Sequence, residues 1–237
     1  IGGGGVASAG GVDKEMMKAL FKQQGLPIGD YLVFRRSEWE KEQEKILADI
    51  EEQLGYPCFV KPANLGSSVG ISKAHNRMEL TEAFTLALAY DRKVVVEAFL
   101  YGREVECAVL GNDEPKASVP GEIIPGAEFY NYEDKYLKND SQLIIPARLT
   151  PDQTAEVRAL AVKAFQAIDC AGMGRVDFFV LHEDGRIVVN EINTIPGFTK
   201  ISMYPKLWAA SGVAYPALIK ELAELALARF RERQPAD

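Results

Sequence analysis

The chain has 237 residues, 47% of them hydrophobic and 26% charged, with a formal net charge of −7. That length allows one large domain or two modest ones, each with a substantial core. An acidic balance without a large basic block argues against non-specific binding to nucleic acid or an anionic membrane, and no apolar run approaches the roughly 18 residues of a membrane span. The chain opens on Ile1-Gly-Gly-Gly-Gly5, which lacks the positive start and apolar stretch of a signal peptide. A first helix is predicted from near Asp13, with Met16, Met17, Leu20 and Phe21 on one stripe and a stop at Gly25-Leu-Pro27. Tyr31 to Phe34 reads as a short strand. A second helix follows, with Ser37 and Glu40 as a capping box, a solvated charged face from Glu38 to Lys45, and Gly55 at its end. Pro57 to Pro62 is a strand, then come a Gly/Ser loop and a partner strand at Gly70 to Lys73. A helix over 79–90 and a buried strand from Lys93 to Glu97 complete a compact α+β unit ending near residue 100.

The second half opens with an alternating strand, Glu104 to Leu110. Residues 120–146 are polar and aromatic with little period, the pattern of a lid loop. Thr150 caps the next helix, with Pro151 at its first position and Gln153 completing a capping box. Its core stripe is Val157, Leu160, Ala161, Ala164, Phe165 and Ile168. A hairpin over 175–193 follows, and a final helix from about Pro216 to Arg231 buries Leu218, Ile219, Leu222 and Leu225. Cys58, Cys107 and Cys170 are scattered without a CxxC pair, as expected of reduced, half-buried thiols in a cytosolic protein. With only His75 and His182 present, a zinc site or a Ser-His-Asp triad has little support.

The hairpin carries the strongest chemical signal. Arg175 and Asp177 share one face of the first strand, and Glu191 and Asn193 share one face of the second. Counting out from the turn at Glu183-Asp184-Gly185 sets Asp177 nearly opposite Glu191, with Cβ atoms about 5 Å apart. Two carboxylates that close repel unless a cation intervenes. Hard oxygen donors suit magnesium or manganese, and the adjacent Arg suits phosphate. A lone Asp/Glu pair is more often a solvated polar face; the added Asn and Arg favour the metal–phosphate site.

Lys61 sits in an apolar strand leading to the loop Ala63-Asn-Leu-Gly-Ser-Ser-Val-Gly70. Such a Lys needs an anionic partner, and the loop offers backbone N–H groups and hydroxyls that can fold over phosphates. Without a GK[ST] ending it is not a P-loop, and by itself it suits an ordinary hairpin turn equally well. Lys14 and Lys135 are further candidate phosphate cations, although a lone surface Lys usually has no such role. Glu97, Phe99, Leu100 and Glu104 fit an apolar slot edged by carboxylates for a purine and its ribose, or else a hinge with exposed glutamates.

Together, Asp13-Lys14, Phe59-Val-Lys-Pro62, Gly66-Ser-Ser-Val-Gly70, Glu97, Glu104, Tyr130-Asn-Tyr-Glu-Asp-Lys-Tyr136, Arg175-Val-Asp177 and Asn190-Glu-Ile-Asn-Thr-Ile-Pro-Gly-Phe-Thr199 closely resemble the D-alanine–D-alanine ligases of the ATP-grasp superfamily. The resemblance runs in order through nearly all of residues 1–230. It implies an α+β ATP-grasp fold: a linker over 1–12, a central subdomain over 13–101 and a C-terminal subdomain over 102–237, with ATP held between the last two. It also implies ATP-dependent ligation of two D-alanines through an acylphosphate, for peptidoglycan precursor synthesis in the cytoplasm. By the same resemblance Lys14, Lys61, Ser67 and Lys135 bind ATP phosphates, and Glu97 and Glu104 hold adenine and ribose beside Phe99, Leu100 and Phe179. Asp177, Glu191 and Asn193 hold two magnesium (or manganese) ions. Arg175 and the Gly197 N–H stabilise the oxyanion, Lys135 and Ser202 fix the second substrate's carboxylate, and Tyr136 closes the lid. The Lys135-Tyr136 pair resembles the lid of dipeptide-forming members, although a D-serine acceptor is harder to exclude.

Relatives in that family are about a hundred residues longer at the N-terminus, the size of an extra domain. That domain carries a glutamate for the first D-alanine's ammonium, and relatives pair into homodimers partly through it. Two readings follow from the resemblance. The chain is either such a ligase, or an ATP- and magnesium-binding module with no ligase activity of its own.

Overall fold

A computed structural model of the chain describes residue 11 and residues 13–65, 69–124, 142–199 and 201–232. Among these are two antiparallel sheets, the smaller with helices on one face and the larger with helices on both. The smaller has the strand order β1 (Tyr31–Arg35), β4 (Lys93–Ala98), β2 (Cys58–Pro62), β3 (Ser72–Ala74). The Val94-Val95-Val96 run makes β4 a central strand, because β-branched side chains fill a pleated, two-sided interior. Helices α2 (Arg36–Gln53) and α3 (Arg77–Tyr90) cover one face, bringing Ile46, Leu47, Ile50, Leu80 and Phe84 onto Val60, Val94 and Val96. Trp39 stacks on Phe84 with ring centroids 4.1 Å apart. Strand alternation then turns Phe59 and Lys61 of β2, with Val95 and Glu97 of β4, to the opposite face, in register as Phe59–Glu97 and Lys61–Val95.

The larger sheet has the order β10 (Ile187–Asn193), β9 (Gly172–Leu181), β5 (Gly102–Gly111), β7 (Gly121–Ile124), β8 (Gln142–Ile144), with β6 (Lys116–Ala117) beside β5. Helix α4 (Pro151–Ala167) packs Val157, Ala161, Ala164 and Phe165 against Val105, Val176, Phe178 and Val180. Gly174 is required there, since a Cβ would lie 2.9 Å from the Phe165 ring. On the other face, α5 (Met203–Ala210) and α6 (Tyr215–Glu232) cover Ala108, Leu110 and Met173. The same pleat continues past them as Glu106 and Glu104 on β5, and as Arg175, Asp177 and Phe179 on β9. A polar row therefore begins where the helical cover stops.

Helix α1 (Lys14–Gln23) ties the two sheets together. Met17 and Phe21 join the core of the larger sheet, whereas the Lys14 N–H donates to the Ala63 carbonyl at the end of β2, at 2.9 Å. Lys93 at the start of β4 reaches Asp13 and Glu15, each at 2.7 Å.

Most predicted elements are present. The Asp13 start, the Gly55 stop, and the Thr150 cap with Pro151 and Gln153 form as expected. Several expectations are corrected. Met16 is 55% exposed, and the inward stripe of α1 carries Lys14 and Lys18 beside Met17 and Phe21. The capping role assigned to Ser37 and Glu40 falls two residues earlier, where the Glu38 carboxylate accepts from the Arg35 N–H. The strand after the Gly/Ser loop begins at Ser72 rather than Gly70. Segment 120–146 is not patternless: β7 and β8 pair at its two ends, and residues 125–141 lie outside the described residues. Ile219 points outward, α5 was not foreseen, and all three thiols are buried rather than half-buried.

Candidate functional site

A cavity of about 480 Å³ lies between the uncovered faces of the two sheets. Helix α1 contributes Lys14 and Lys18, the smaller sheet Lys61 and Glu97, and the larger sheet Glu104, Asp177, Phe179 and Glu191. The link from β4 to β5 adds Phe99 and Leu100. Nine of the residues singled out in the sequence thus line one space, drawn from segments up to 177 positions apart (Lys14 to Glu191).

Three ammonium groups meet two carboxylates at its base. Lys61 donates to one oxygen of Glu97 at 2.5 Å, and Lys18 lies 3.1 Å from the other. Burial alone raises the Glu97 pKa, but Lys18 and then Lys61 outweigh it and hold the carboxyl at about 2, against an ordinary 4.5. The hinge alternative with exposed glutamates fails at this position, because Glu97 is only 8% exposed. Burial opposes the charge on Lys61 as well, yet Glu97 and Glu191 carry its pKa above the usual value. Lys14 goes the other way. Burial lowers its pKa, the pull of Glu191 restores only part of that, and its Nζ donates to the Leu65 carbonyl at 2.5 Å.

Because the folded pKa of Glu97 is depressed, its stabilising contribution is complete above pH 4.5 and disappears as pH falls toward 2. On that basis Glu97→Gln is expected to flatten the acid limb of the stability profile by on the order of 3 kcal/mol. Urea unfolding between pH 2 and 7 measures it, and identical acid limbs in both proteins would remove the effect.

An aromatic group adjoins Lys61 and Glu97, with the Lys61 ammonium 5.6 Å from the Phe59 ring centroid. Phe99 lies 6.2 Å from Phe59 and 6.5 Å from Tyr101 between ring centroids, and the Lys73 ammonium sits 4.3 Å from the Phe99 ring. Glu104 stands in register with Phe179 on one side and Ile123 on the other. A flat, electron-rich heterocycle suits such walls, with Glu104 as an acceptor at the edge.

The hairpin forms as expected, with Asp177 paired to Glu191 and Arg175 to Asn193, and with a bulge between Val189 and Glu191. Arg175 grips Asp177 with two bonds of 2.7 Å and lies 3.1 Å from Glu106. Burial works against the Arg175 charge, but Asp177 and Glu106 raise its pKa well above the usual range. The Asn193 side-chain oxygen accepts from the Ile195 N–H at 3.1 Å. Among the described residues no group of three or more His, Cys, Asp and Glu forms a metal cluster, so the expected ligand set amounts to two carboxylates and an amide. It still fits a small hard cation: each bonded oxygen keeps a second lone pair, and the donors sit on rigid paired strands.

Gly197 and Ser202 come together one turn beyond the hairpin. A Cβ on Gly197 would lie 2.8 Å from the Ser202 Oγ, so only glycine permits this approach. Ser202 precedes α5 and accepts from the Thr199 N–H at 3.0 Å. Neither residue lines the cavity itself. Ser67, Lys135 and Tyr136 lie outside the described residues.

Sequence reasoning missed Lys18, Glu106, and the group formed by Arg148, Arg103 and the 1% exposed Glu122, where Arg148 approaches Glu122 to 2.6 Å and Arg103 to 3.6 Å. A signal existed for Lys18. With Lys14 it falls on the i, i+3, i+4, i+7 face of Met17 and Phe21, and two lysines on a buried stripe require anions. For Glu106 the signal was strand alternation with Glu104.

The family model described as D-ala D-ala ligase C-terminus matches residues 20–224. The D-alanine–D-alanine ligases of Acetivibrio thermocellus and Heliobacterium modesticaldum are each 55% identical, over 98% and 99% of this chain. The chain spans 62% and 64% of the length of those relatives. Among solved structures, the D-alanine–D-alanine ligase from Coxiella burnetii is similar with TM-score 0.85 and 38% identity, over 99% of this chain and 62% of that one. The VanG D-Ala:D-Ser ligase from Enterococcus faecalis has the same TM-score at 36% identity, over 95% of this chain and 64% of that one. Two sheets facing one charged cavity, a matching family model and half-identical relatives agree: the chain belongs to the D-ala D-ala ligase C-terminus family and has the α+β ATP-grasp fold.

Proposed function

We propose that the chain binds magnesium-ATP between its two sheets and joins two D-alanines into D-alanyl-D-alanine for peptidoglycan precursor synthesis. The carrying observation is the grouping of charges in the cavity. Lys14, Lys18 and Lys61 gather beside Glu97, in the same cavity as the carboxylates Asp177 and Glu191 of the hairpin. Clustered fixed cations beside hard oxygen donors suit a polyphosphate carrying a divalent cation, the arrangement phosphoryl transfer needs.

In this reading Lys14 and Lys61 neutralise the phosphates while Ser67 and the neighbouring loop amides close over them. Phe99, Leu100 and Phe179 wall the base, with Glu97 and Glu104 accepting from the adenine and ribose ends. Asp177, Glu191 and Asn193 hold two magnesium or manganese ions, which when bound neutralise charge on the β- and γ-phosphates. The γ-phosphoryl group passes to a carboxylate oxygen of the first D-alanine, giving ADP and an acylphosphate. The amine of the second D-alanine attacks the acyl carbon, loses a proton, and phosphate leaves. Arg175 and the Gly197 N–H stabilise the oxyanion, Lys135 and Ser202 hold the acceptor carboxylate, and Tyr136 closes the lid. The buried thiols Cys58, Cys107 and Cys170 suit a reducing cytoplasm, and among the described residues no helix is long and apolar enough to cross a membrane.

Phosphate release from magnesium-ATP by the 237-residue chain, with and without D-alanine, tests the reading. D-alanine-dependent release is expected, with D-serine a poorer acceptor. ATP binding without D-alanine stimulation would instead mark a nucleotide-binding module, and absence of ATP binding would overturn both.

A further inference from the structure

We propose that Lys73 is a positioning residue for the nucleotide base: its ammonium, from outside the cavity, fixes the Phe99 ring where the adenine stacks. The inference rests on the nucleotide reading above. Phe99 begins the link between β4, which ends at Ala98, and β5, which starts at Gly102, so it lies outside both strand ladders. Its side chain therefore depends on its neighbours for a fixed direction. Phe59 and Tyr101 meet the ring at 35–38° between planes, with centroids 6.2 and 6.5 Å away. The Lys73 ammonium is nearer, 4.3 Å from the ring centroid. Phe59 and Tyr101 line the cavity together with Phe99, whereas Lys73 does not. Lys73 thus touches the wall without being part of it.

The sheet explains how Lys73 comes to be there. Strand β3 pairs with β2 as Phe59–Lys73 and Cys58–Ala74. Ala74 is fully buried in the core under the helices of the smaller sheet, so alternation turns Lys73 to the uncovered face, level with Phe59. An ammonium this close to a ring centroid is attracted by the negative π-face. A purine that stacks on a loose ring must order that ring as it binds, and the ordering subtracts from its affinity. With the ring already held by Lys73, that loss is avoided. Lys73 thereby acts on the base through Phe99, whereas Lys14 and Lys61 act on the phosphates from inside the cavity.

The test compares the affinities of magnesium-ATP and magnesium tripolyphosphate by calorimetry in the full chain, in Lys73→Met, in Lys73→Arg, in Phe99→Leu and in the Lys73→Met/Phe99→Leu double variant. Lys73→Met is expected to weaken ATP binding about three- to fivefold, the size of one cation–π contact, with tripolyphosphate affinity unchanged. Lys73→Arg should restore ATP affinity, because a guanidinium also binds an aromatic face. In the Phe99→Leu background the Lys73→Met substitution is expected to have no further effect on ATP. Equal losses for ATP and tripolyphosphate would show that Lys73 acts on the phosphates through its charge, or only on the fold, and would overturn the proposal. So would unchanged ATP affinity in Lys73→Met, or a loss that persists in the Phe99→Leu background. If Lys73→Met does not fold, Lys73→Gln carries the same comparisons. Failure of the unmodified chain to bind ATP at all would be a failure of the nucleotide reading instead.

Discussion

Glu191→Gln is expected to lower magnesium-dependent turnover by about 10²- to 10³-fold, or roughly 3–4 kcal/mol in the transition state, while leaving the fold intact. Two losses combine. The amide keeps the shape of the side chain but not its charge, so on the proposed assignment the side chain opposite Asp177 would no longer offer a carboxylate to a divalent cation. Glu191 is also the largest attraction sustaining the ammonium of Lys14, whose pKa burial already depresses. Without it Lys14 loses charge more readily, and phosphate affinity falls with rising pH. The fold should persist because Glu191 sits at a partly exposed position of β10, and a Gln fits there without a cavity. Steady-state turnover against magnesium concentration, with melting temperature as the control, measures both effects. Turnover within a few-fold of the unmodified chain at saturating magnesium would sink the metal assignment.

Arg175→Met is expected to cost roughly 3–5 kcal/mol of stability in addition to turnover. The guanidinium is the shared counterion of Asp177, with two bonds of 2.7 Å, and of Glu106, at 3.1 Å. Glu106 is only 6% exposed, so removing the cation leaves two neighbouring carboxylates that water cannot fully solvate. They must then repel across the β5–β9 pair or bind protons, and either route weakens the centre of the larger sheet. Arg175→Lys should behave differently, keeping the charge and most of the stability while losing the two-pronged grip on Asp177. Denaturant unfolding of both variants separates charge from geometry. A loss below about 1 kcal/mol in Arg175→Met would show that this buried ion pair does not anchor the sheet.

The parts of the site legible in the sequence were those that local rules determine. Strand alternation and a turn glycine were enough to set Asp177 against Glu191 and Arg175 against Asn193, because hairpin register is a local property. Thr150, Pro151 and Gln153 announced α4 for the same reason: each acts on backbone groups within one turn. Local rules failed where two weak signals competed. Pro205 disguised α5, although proline is tolerated in a first helical turn and Ser202 marked the start. The expected stripe of α1 took in Met16 and that of α6 took in Ile219, but both side chains are exposed, and the buried stripe of α1 runs through Lys14 and Lys18 instead.

By itself the sequence determined the order and type of most elements, the acidic charge, the register of the 175–193 hairpin and, through its motifs, the family resemblance. Only the tertiary structure decided which charges meet. Lys18 and Glu97 are 79 positions apart in the sequence, Arg175 and Glu106 are 69 apart, and no periodicity connects either pair. They meet because one face of the smaller sheet and part of one face of the larger lack helical cover, and the polar groups there must neutralise one another out of water.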